Sequence, residues 1–207
     1  MSKCYGDVTK INFGNSDSQS EYAAHGGNSH GHVYGEVSLD GMRSILHEAL
    51  KISLANDNNV FQHTGDFKFY DLGSGFGKFP MFASLMGFNQ STGIELDSHR
   101  AKFAEERLGV MKKELPTCAD KLHYFEGSFL TNTEWAKGKE KRVIFMDSVC
   151  WSSFWGDLTA KMESAEWDKD TVVVSLGQSS MGKFQRKSTI TVRTSWAGAS
   201  YVYFFTK

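Results

Sequence analysis

At 207 residues the chain is long enough for one domain with a substantial core and short for two. Its 40% hydrophobic and 23% charged residues, with 14% aromatic and five Trp, describe a globular protein with a well-stocked core. A net charge of -1 and a pI of about 6.7 exclude a global basic field that would recruit nucleic acid or an anionic membrane, so any such contact has to be local.

The three cysteines, Cys4, Cys118 and Cys150, form no CxxC pair and suit a reducing compartment. No apolar run approaches the roughly 18–20 residues of a membrane span, and MSKCYGDVTK lacks the apolar stretch of an export signal. A soluble, unexported, intracellular protein is expected. Residues 1–33 are dominated by Gly, Ser, Asn and His and offer too little apolar surface to offset ordering entropy, so a flexible polar arm is expected there. His25, His30 and His32 fall within it, and an HxH pair without further ligands is read as polar tail rather than as a metal site.

From Ser38 the pattern changes. Leu39, Met42, Ile45, Leu46, Ala49 and Leu50 recur at helical spacing behind a Ser or Asp cap. FKFYDL (67–72) reads as a buried strand, FPMFASLMG as the helix after a glycine loop, STGIEL (91–96) as the second strand and 98–114 as a long helix. KLHYFEG (121–127), RVIFMD (142–147) and DTVVVSL (170–176) continue as strands, with a helix over 154–164. Strand and helix alternate through short connections, which implies right-handed crossovers and a parallel sheet covered on both faces. STITVRTSWAGASYVYFFT then holds two β-rich runs around a Trp-Ala-Gly turn with no helix between them, a terminal hairpin. The sum is an α/β fold with a seven-stranded, mostly parallel sheet, an arrangement that resembles the Rossmann-like class I S-adenosylmethionine (SAM) methyltransferases.

The first strand runs into DLGSGFG, with glycines at 73, 75 and 77. In an open α/β sheet the ligand crevice lies outside the carboxyl ends of the strands, so this loop sits in the binding position. A dinucleotide fingerprint is G-x-G-x-x-G, aimed at a pyrophosphate. Here the spacing is G-x-G-x-G behind Asp71, and SAM offers an ammonium and a sulfonium in place of phosphate. Glu95, ending the second strand, can accept both ribose hydroxyls in either ligand class. Glycine spacing and the terminal hairpin favour SAM over a nicotinamide cofactor or a ligand-free turn. After the third strand, Phe129 is a candidate to stack on adenine and Ser128 to hydrogen-bond its edge, core packing being the alternative for Phe129.

These residues resemble the non-SET histone lysine methyltransferases, the disruptor of telomeric silencing family. The resemblance runs from VYGEVSLD (33–40) through YDLGSGFG, TGIEL, EGSFL and VIFMDS to TSWAGASYVYF (194–204). VYGE ahead of a helix and SWxG before a Tyr-rich strand are its more particular motifs. It implies a catalytic domain over 34–207 and a loop of Tyr34, Gly35 and Glu36 over the methionine end of SAM. It also implies Asp71, Gly73 and Gly75 around the amino acid moiety, Glu95 on the ribose and Phe129 against adenine. Asp147 and Tyr203 would line the channel for the substrate lysine, with Tyr34 at its cofactor end; Phe145 and Trp151 are further candidate walls. Lys78, which follows the glycine loop where a Gln is usual, is a further candidate cofactor contact; the chain also departs from the family pattern at Ser128, where an Asp is usual, and at Asp147-Ser148, where an Asn pair is usual.

The implied activity is SAM-dependent methyl transfer to a protein lysine, with a core histone in chromatin as substrate, a nuclear location and a monomeric chain. Alternatives are a methyltransferase of the same fold for another protein or a small molecule, which would be cytoplasmic, and a SAM-binding module without catalysis. No metal and no membrane partner are implied. KGKEKR (137–142) and GKFQRKS (182–188) are read as solvated loops, a weak contact with nucleic-acid phosphate being the functional alternative.

Overall fold

The computed structural model describes residues 36–55, 57–149 and 154–207. Its strands are β1 (Lys68–Leu72), β2 (Gln90–Glu95), β3 (Leu122–Glu126), β4 (Arg142–Asp147), β5 (Val172–Leu176), β6 (Gln185–Val192) and β7 (Ser200–Thr206). They form one seven-stranded sheet in the order β3-β2-β1-β4-β5-β7-β6. β1 to β5 run parallel, and β7 returns antiparallel between β5 and β6. The expected architecture is therefore present, with the hairpin closing one edge.

The helices are α1 (Leu39–Ser53), α2 (Lys78–Leu85), α3 (Ser98–Glu114), α4 (Pro116–Ala119) and α5 (Trp155–Ser164). α1 starts where the Ser38 hydroxyl accepts a hydrogen bond from the Gly41 amide at 3.1 Å, which satisfies one of the helix's orphan donors. α3 is capped the same way, Asp97 accepting from the Arg100 amide at 3.0 Å. Turns of 3-10 helix at Val60–Asp66 and Glu134–Ala136, and the single turn of α4, are absent from the sequence reading because segments this short carry no hydrophobic period.

Alternation along the strands sends side chains to two cores. On one face Phe69, Phe145, Val174 and Phe204 pack under Ile45, Leu46, Ala49 and Leu50 of α1 and Phe79 and Phe82 of α2. On the other, Tyr70, Leu72, Ile144, Met146 and Val173 meet Leu158 and Met162 of α5 and the buried Trp135. A third cluster joins Met81 and Leu85 to Leu108, Met111 and Tyr124 at the β3 edge. β5 is buried at every position, so its Val-rich run needs no polar alternation, whereas edge strand β6 is mostly exposed.

One expectation fails. Arg142, the last cation of KGKEKR, is fully buried rather than solvated. Its guanidinium donates to the carbonyls of Trp135 (2.8 Å), Lys137 (2.8 Å) and Gly138 (2.7 Å), and its Nε to that of Glu140 (3.1 Å). The loop before β4 is thus wound around a cation whose donors are used on backbone oxygens, which offsets the cost of burying it.

Candidate active site

The carboxyl ends of β1, β2 and β4 deliver Asp71, Glu95 and Asp147 to one rim of the sheet. After β1 the chain turns through Gly73, Gly75 and Gly77, with φ of 79°, 55° and 78°. At Gly77 the absence of a side chain is obligatory, because a Cβ would stand 2.5–2.7 Å from the ring and hydroxyl of Tyr124. The Tyr124 hydroxyl instead donates to the Gly77 carbonyl at 2.6 Å, tying β3 to the loop. Gly93, in the middle of β2, makes room in the same way for Ser74, whose side chain would be 2.6 Å from a Cβ there. The sequence reading singled out neither Tyr124 nor Gly93, although a glycine inside a strand is a signal of close backbone approach.

This folding brings the loop onto Glu95. The Gly75 amide donates to Glu95 Oε2 at 2.7 Å and the Asp97 amide to Oε1 at 2.8 Å. Each carboxylate oxygen is fixed by one backbone donor and keeps a further lone pair for a ligand hydroxyl. The Gly73 and Ser74 amides donate to the Ile94 carbonyl at 2.8 and 3.1 Å, which completes the turn.

The rim is acidic. Burial, then the nearby charges of Glu95 and Asp147, push the Asp71 carboxyl well above the usual carboxylate range. Burial pushes Asp147 up to about 6, against a long hydrogen bond from the Val149 amide at 3.4 Å that favours its ionised form. Burial, then Asp71 and Glu105, raise the Tyr124 phenol. Burial and two neighbouring carboxylates disfavour the ionised form of Asp71, and a cationic ligand at this rim relieves that repulsion. SAM carries two such cationic groups and a ribose diol, so the residues present fit it.

Phe129 follows β3 half-buried, its ring 5.8 Å from that of Phe154. Its carbonyl accepts from the Trp135 indole at 2.8 Å, and Trp135 in turn is held through its own carbonyl by Arg142. Ser128 Oγ accepts from the Leu130 amide at 3.2 Å. Ser148, next to Asp147, is buried and bonded to Ser175 Oγ at 2.7 Å, which clamps the β4 loop to β5.

Of the segment implied to cover the cofactor, Tyr34 and Gly35 lie outside the described residues, as does Trp151. Glu36 exchanges backbone bonds with Ser195: its amide donates to Ser195 Oγ at 3.0 Å, and the Ser195 amide donates to its carbonyl at 2.8 Å. Val37 bridges Thr194. Glu36, the last residue of the YGE motif, therefore meets Ser195, the first of SWAG. The Glu36 carboxylate also pairs with Lys78 at 2.5 Å, so Lys78 tethers this segment to the start of α2. Phe145 is buried against Phe79 in the α1 face of the core. Tyr203 is half-buried on β7 opposite Ser175, stacked on Tyr201, and packs with the α5 face. Asp147, two residues beyond Phe145 on β4, shares its alternation phase, whereas Tyr203 belongs to the α5 face, so alternation does not bring Asp147 and Tyr203 together. A separate cavity of about 460 Å³ lies between α3 and β3, lined by Ser98, His99, Lys102, Glu105, Tyr124 and Glu126, and contains none of the three rim carboxylates. Among the described residues no His, Cys, Asp and Glu group is arranged to hold a metal ion, and no helix is long and apolar enough to cross a membrane.

An RNA methyltransferase from Salinibacter ruber, solved with S-adenosyl-L-homocysteine, superposes with a TM-score of 0.51 at 19% identity, over 79% of this chain and 90% of that one. The putative methyltransferase yhhF from Escherichia coli gives 0.54 at 13% identity, over 68% and 75%. Precorrin-6y C5,15-methyltransferase from Geobacter metallireducens gives 0.51 at 10% identity, over 79% and 86%. Fold and rim together define a class I SAM-dependent methyltransferase. No curated protein matches the chain. The model of the family described as "Histone methylation protein DOT1" does match, over residues 16–176, and the chain belongs to that family.

Proposed function

We propose that the protein is a histone-lysine N-methyltransferase that acts on a core histone in nuclear chromatin, with SAM as methyl donor. The observation that carries this reading is the family match over residues 16–176. The acidic rim supports it chemically. SAM supplies an electrophilic methyl group on a sulfonium. Asp71 and Glu95 orient the donor, Asp71 by its charge and Glu95 by the two lone pairs that its amide donors leave free. The glycine loop admits the ligand to van der Waals distance of the backbone.

The acceptor nitrogen has to arrive neutral and to lose a proton once methylated, so alignment and deprotonation are what the protein contributes. Asp147, titrating near 6, is ionised at neutral pH and draws a lysine ammonium to the rim. Its proximity also raises that lysine's pKa, so it is an attraction site rather than a strong base. Tyr203 and Tyr201 offer aromatic faces that tolerate a methylated cation.

A second reading, methyl transfer to a non-histone protein or a small molecule, is favoured by Asp147-Ser148 standing where the family has an Asn pair. Tritiated methyl transfer from SAM to nucleosomes, free core histones and a crude lysate, with Glu95→Ala as blank, separates the two. Label on a histone lysine that vanishes in the blank is expected. Label confined to a lysate component moves the substrate, and bound SAM without transfer leaves a non-catalytic module.

A further inference from the structure

We infer that the exposed edge of β6 is a docking strip for the phosphodiester backbone of duplex DNA, on the acceptor side of the site. The chain is close to neutral overall, yet residues 171–207 contain Lys183, Arg186, Lys187, Arg193 and Lys207 and no Asp or Glu. The hairpin therefore carries a local positive field that the net charge of -1 conceals.

The structure separates the two basic segments of the sequence. In KGKEKR, Lys137 pairs with Glu134 at 2.7 Å, Lys141 with Asp170 at 3.1 Å, and Arg142 is buried. Three of its four cations thus have a carboxylate or a buried cage, and the exposed Lys139 alone has no ion pair among the described residues. In the hairpin, Lys183 lies 3.8 Å from Glu163, but Lys187 meets only the neutral Gln185 and Arg186 only a carbonyl and the Tyr203 ring. Among the described residues no carboxylate is in ion-pair reach of Arg186, Lys187 or Arg193.

Charged side chains on an edge strand also serve to prevent edge-to-edge pairing, and that is the plain alternative. It does not account for a field of one sign that runs past the strand to Arg193, beside the exposed Trp196 and Tyr201. At the rise of a strand, Arg186 and Arg193 stand about 23 Å apart, the axial length of about seven base pairs. The strip also adjoins the acceptor side. The Arg186 guanidinium lies 5.7 Å from the Tyr203 ring, and the β6–β7 turn holds Glu36. A strand of DNA on this edge would deliver a DNA-bound protein to the rim.

The test uses the full chain and a 20-base-pair duplex, with binding read by fluorescence anisotropy between 50 and 200 mM salt. Three phosphate contacts predict an affinity loss of about 40-fold over that range, and Lys187→Gln with Arg193→Gln reduces it to about 4-fold. Lys137→Gln with Lys141→Gln leaves the salt dependence unchanged. No duplex binding at 50 mM, equal loss in the two double variants, or preference for a polyglutamate competitor over DNA overturns the proposal. A second arm rests on the reading of the chain as a histone methyltransferase: the hairpin variant is expected to lose transfer to nucleosomes and keep transfer to DNA-free histones. Equal loss on both refutes delivery by DNA, while absence of transfer from the unmodified chain refutes the histone reading and leaves the anisotropy to decide the docking strip.

Discussion

Replacing Glu95 by Gln keeps the length of the side chain and removes its charge. Both carboxylate oxygens accept a backbone amide, from Gly75 at 2.7 Å and from Asp97 at 2.8 Å, and Gln offers one oxygen and one NH2. One of the two amides must then face a donor. Losing that charge-assisted bond and leaving a buried N–H unpaired costs about 1–3 kcal/mol. For a chain of this length the ligand-free Tm falls by about 3–10 °C. The ligand loses one acceptor for its ribose diol as well, a further 1.5–3 kcal/mol, or about 10- to 150-fold in Kd for SAM. Differential scanning fluorimetry without ligand and isothermal titration with SAM measure the two terms separately. A variant with unchanged Tm shows that the amide bonds carry no weight in the fold. A variant with unchanged Kd removes Glu95 from the cofactor site.

Asp147→Asn tests the rim electrostatics through pH. Burial raises the folded-state pKa to about 6, so the favourable contribution of protonated Asp147 is complete below about pH 4 and lost as pH rises through 6. Above that the ionised group is a cost. The Asn variant is therefore expected to be more stable at pH 8, by up to 3 kcal/mol or so, with the difference vanishing near pH 4 in urea melts; equal stability at both pH values contradicts it. The same substitution removes the rise of kcat/KM through pH 6. Gly77→Ala forces an L-residue to φ 78° and a methyl into the Tyr124 ring, for a loss of about 2–5 kcal/mol seen as a large Tm drop. Arg142→Met orphans the carbonyls of Trp135, Lys137, Gly138 and Glu140; about 3–5 kcal/mol of stability is lost, and SAM affinity falls with it as Phe129 loses its anchor.

Periodicity served where an element is long and its burial regular. The bounds of α3 and β4 agree with the sequence reading to the residue, and the hairpin was visible from alternation around Trp-Ala-Gly. The turn after β1 was legible because glycines at alternate positions mark backbone with positive φ, which Gly73 and Gly75 have. What stayed hidden depends on contacts between distant segments. Nothing local in KGKEKR announces that its last residue is a core cation, since an arginine at the start of a strand is usually solvated. Lys78 reads as a candidate cofactor contact, and its pairing with Glu36 is not visible until the two distant segments are placed together. Tyr203 shares an alternation phase with Tyr201 and Phe205, so its face could be read from ASYVYFF, but which face the rim residues occupied could not be known without the packing of α1.

The clip between Glu36 and Ser195 joins residues 159 apart in sequence. During synthesis the ribosome must release Ser195 before Glu36 has a partner for its backbone. β7 adds a second delay: it lies between β5 and β6, so β6 reaches its edge position only after a later strand has paired. At typical elongation rates of about 5–20 residues per second, synthesis from the end of β5 at Leu176 to Ser195 takes about 1–4 s, the interval in which β1 to β5 can pair as a parallel sheet without the hairpin. A nascent chain can thus bring Asp71, Glu95 and Asp147 to the rim before the Glu36–Ser195 clip forms, and the clip waits until the hairpin has emerged.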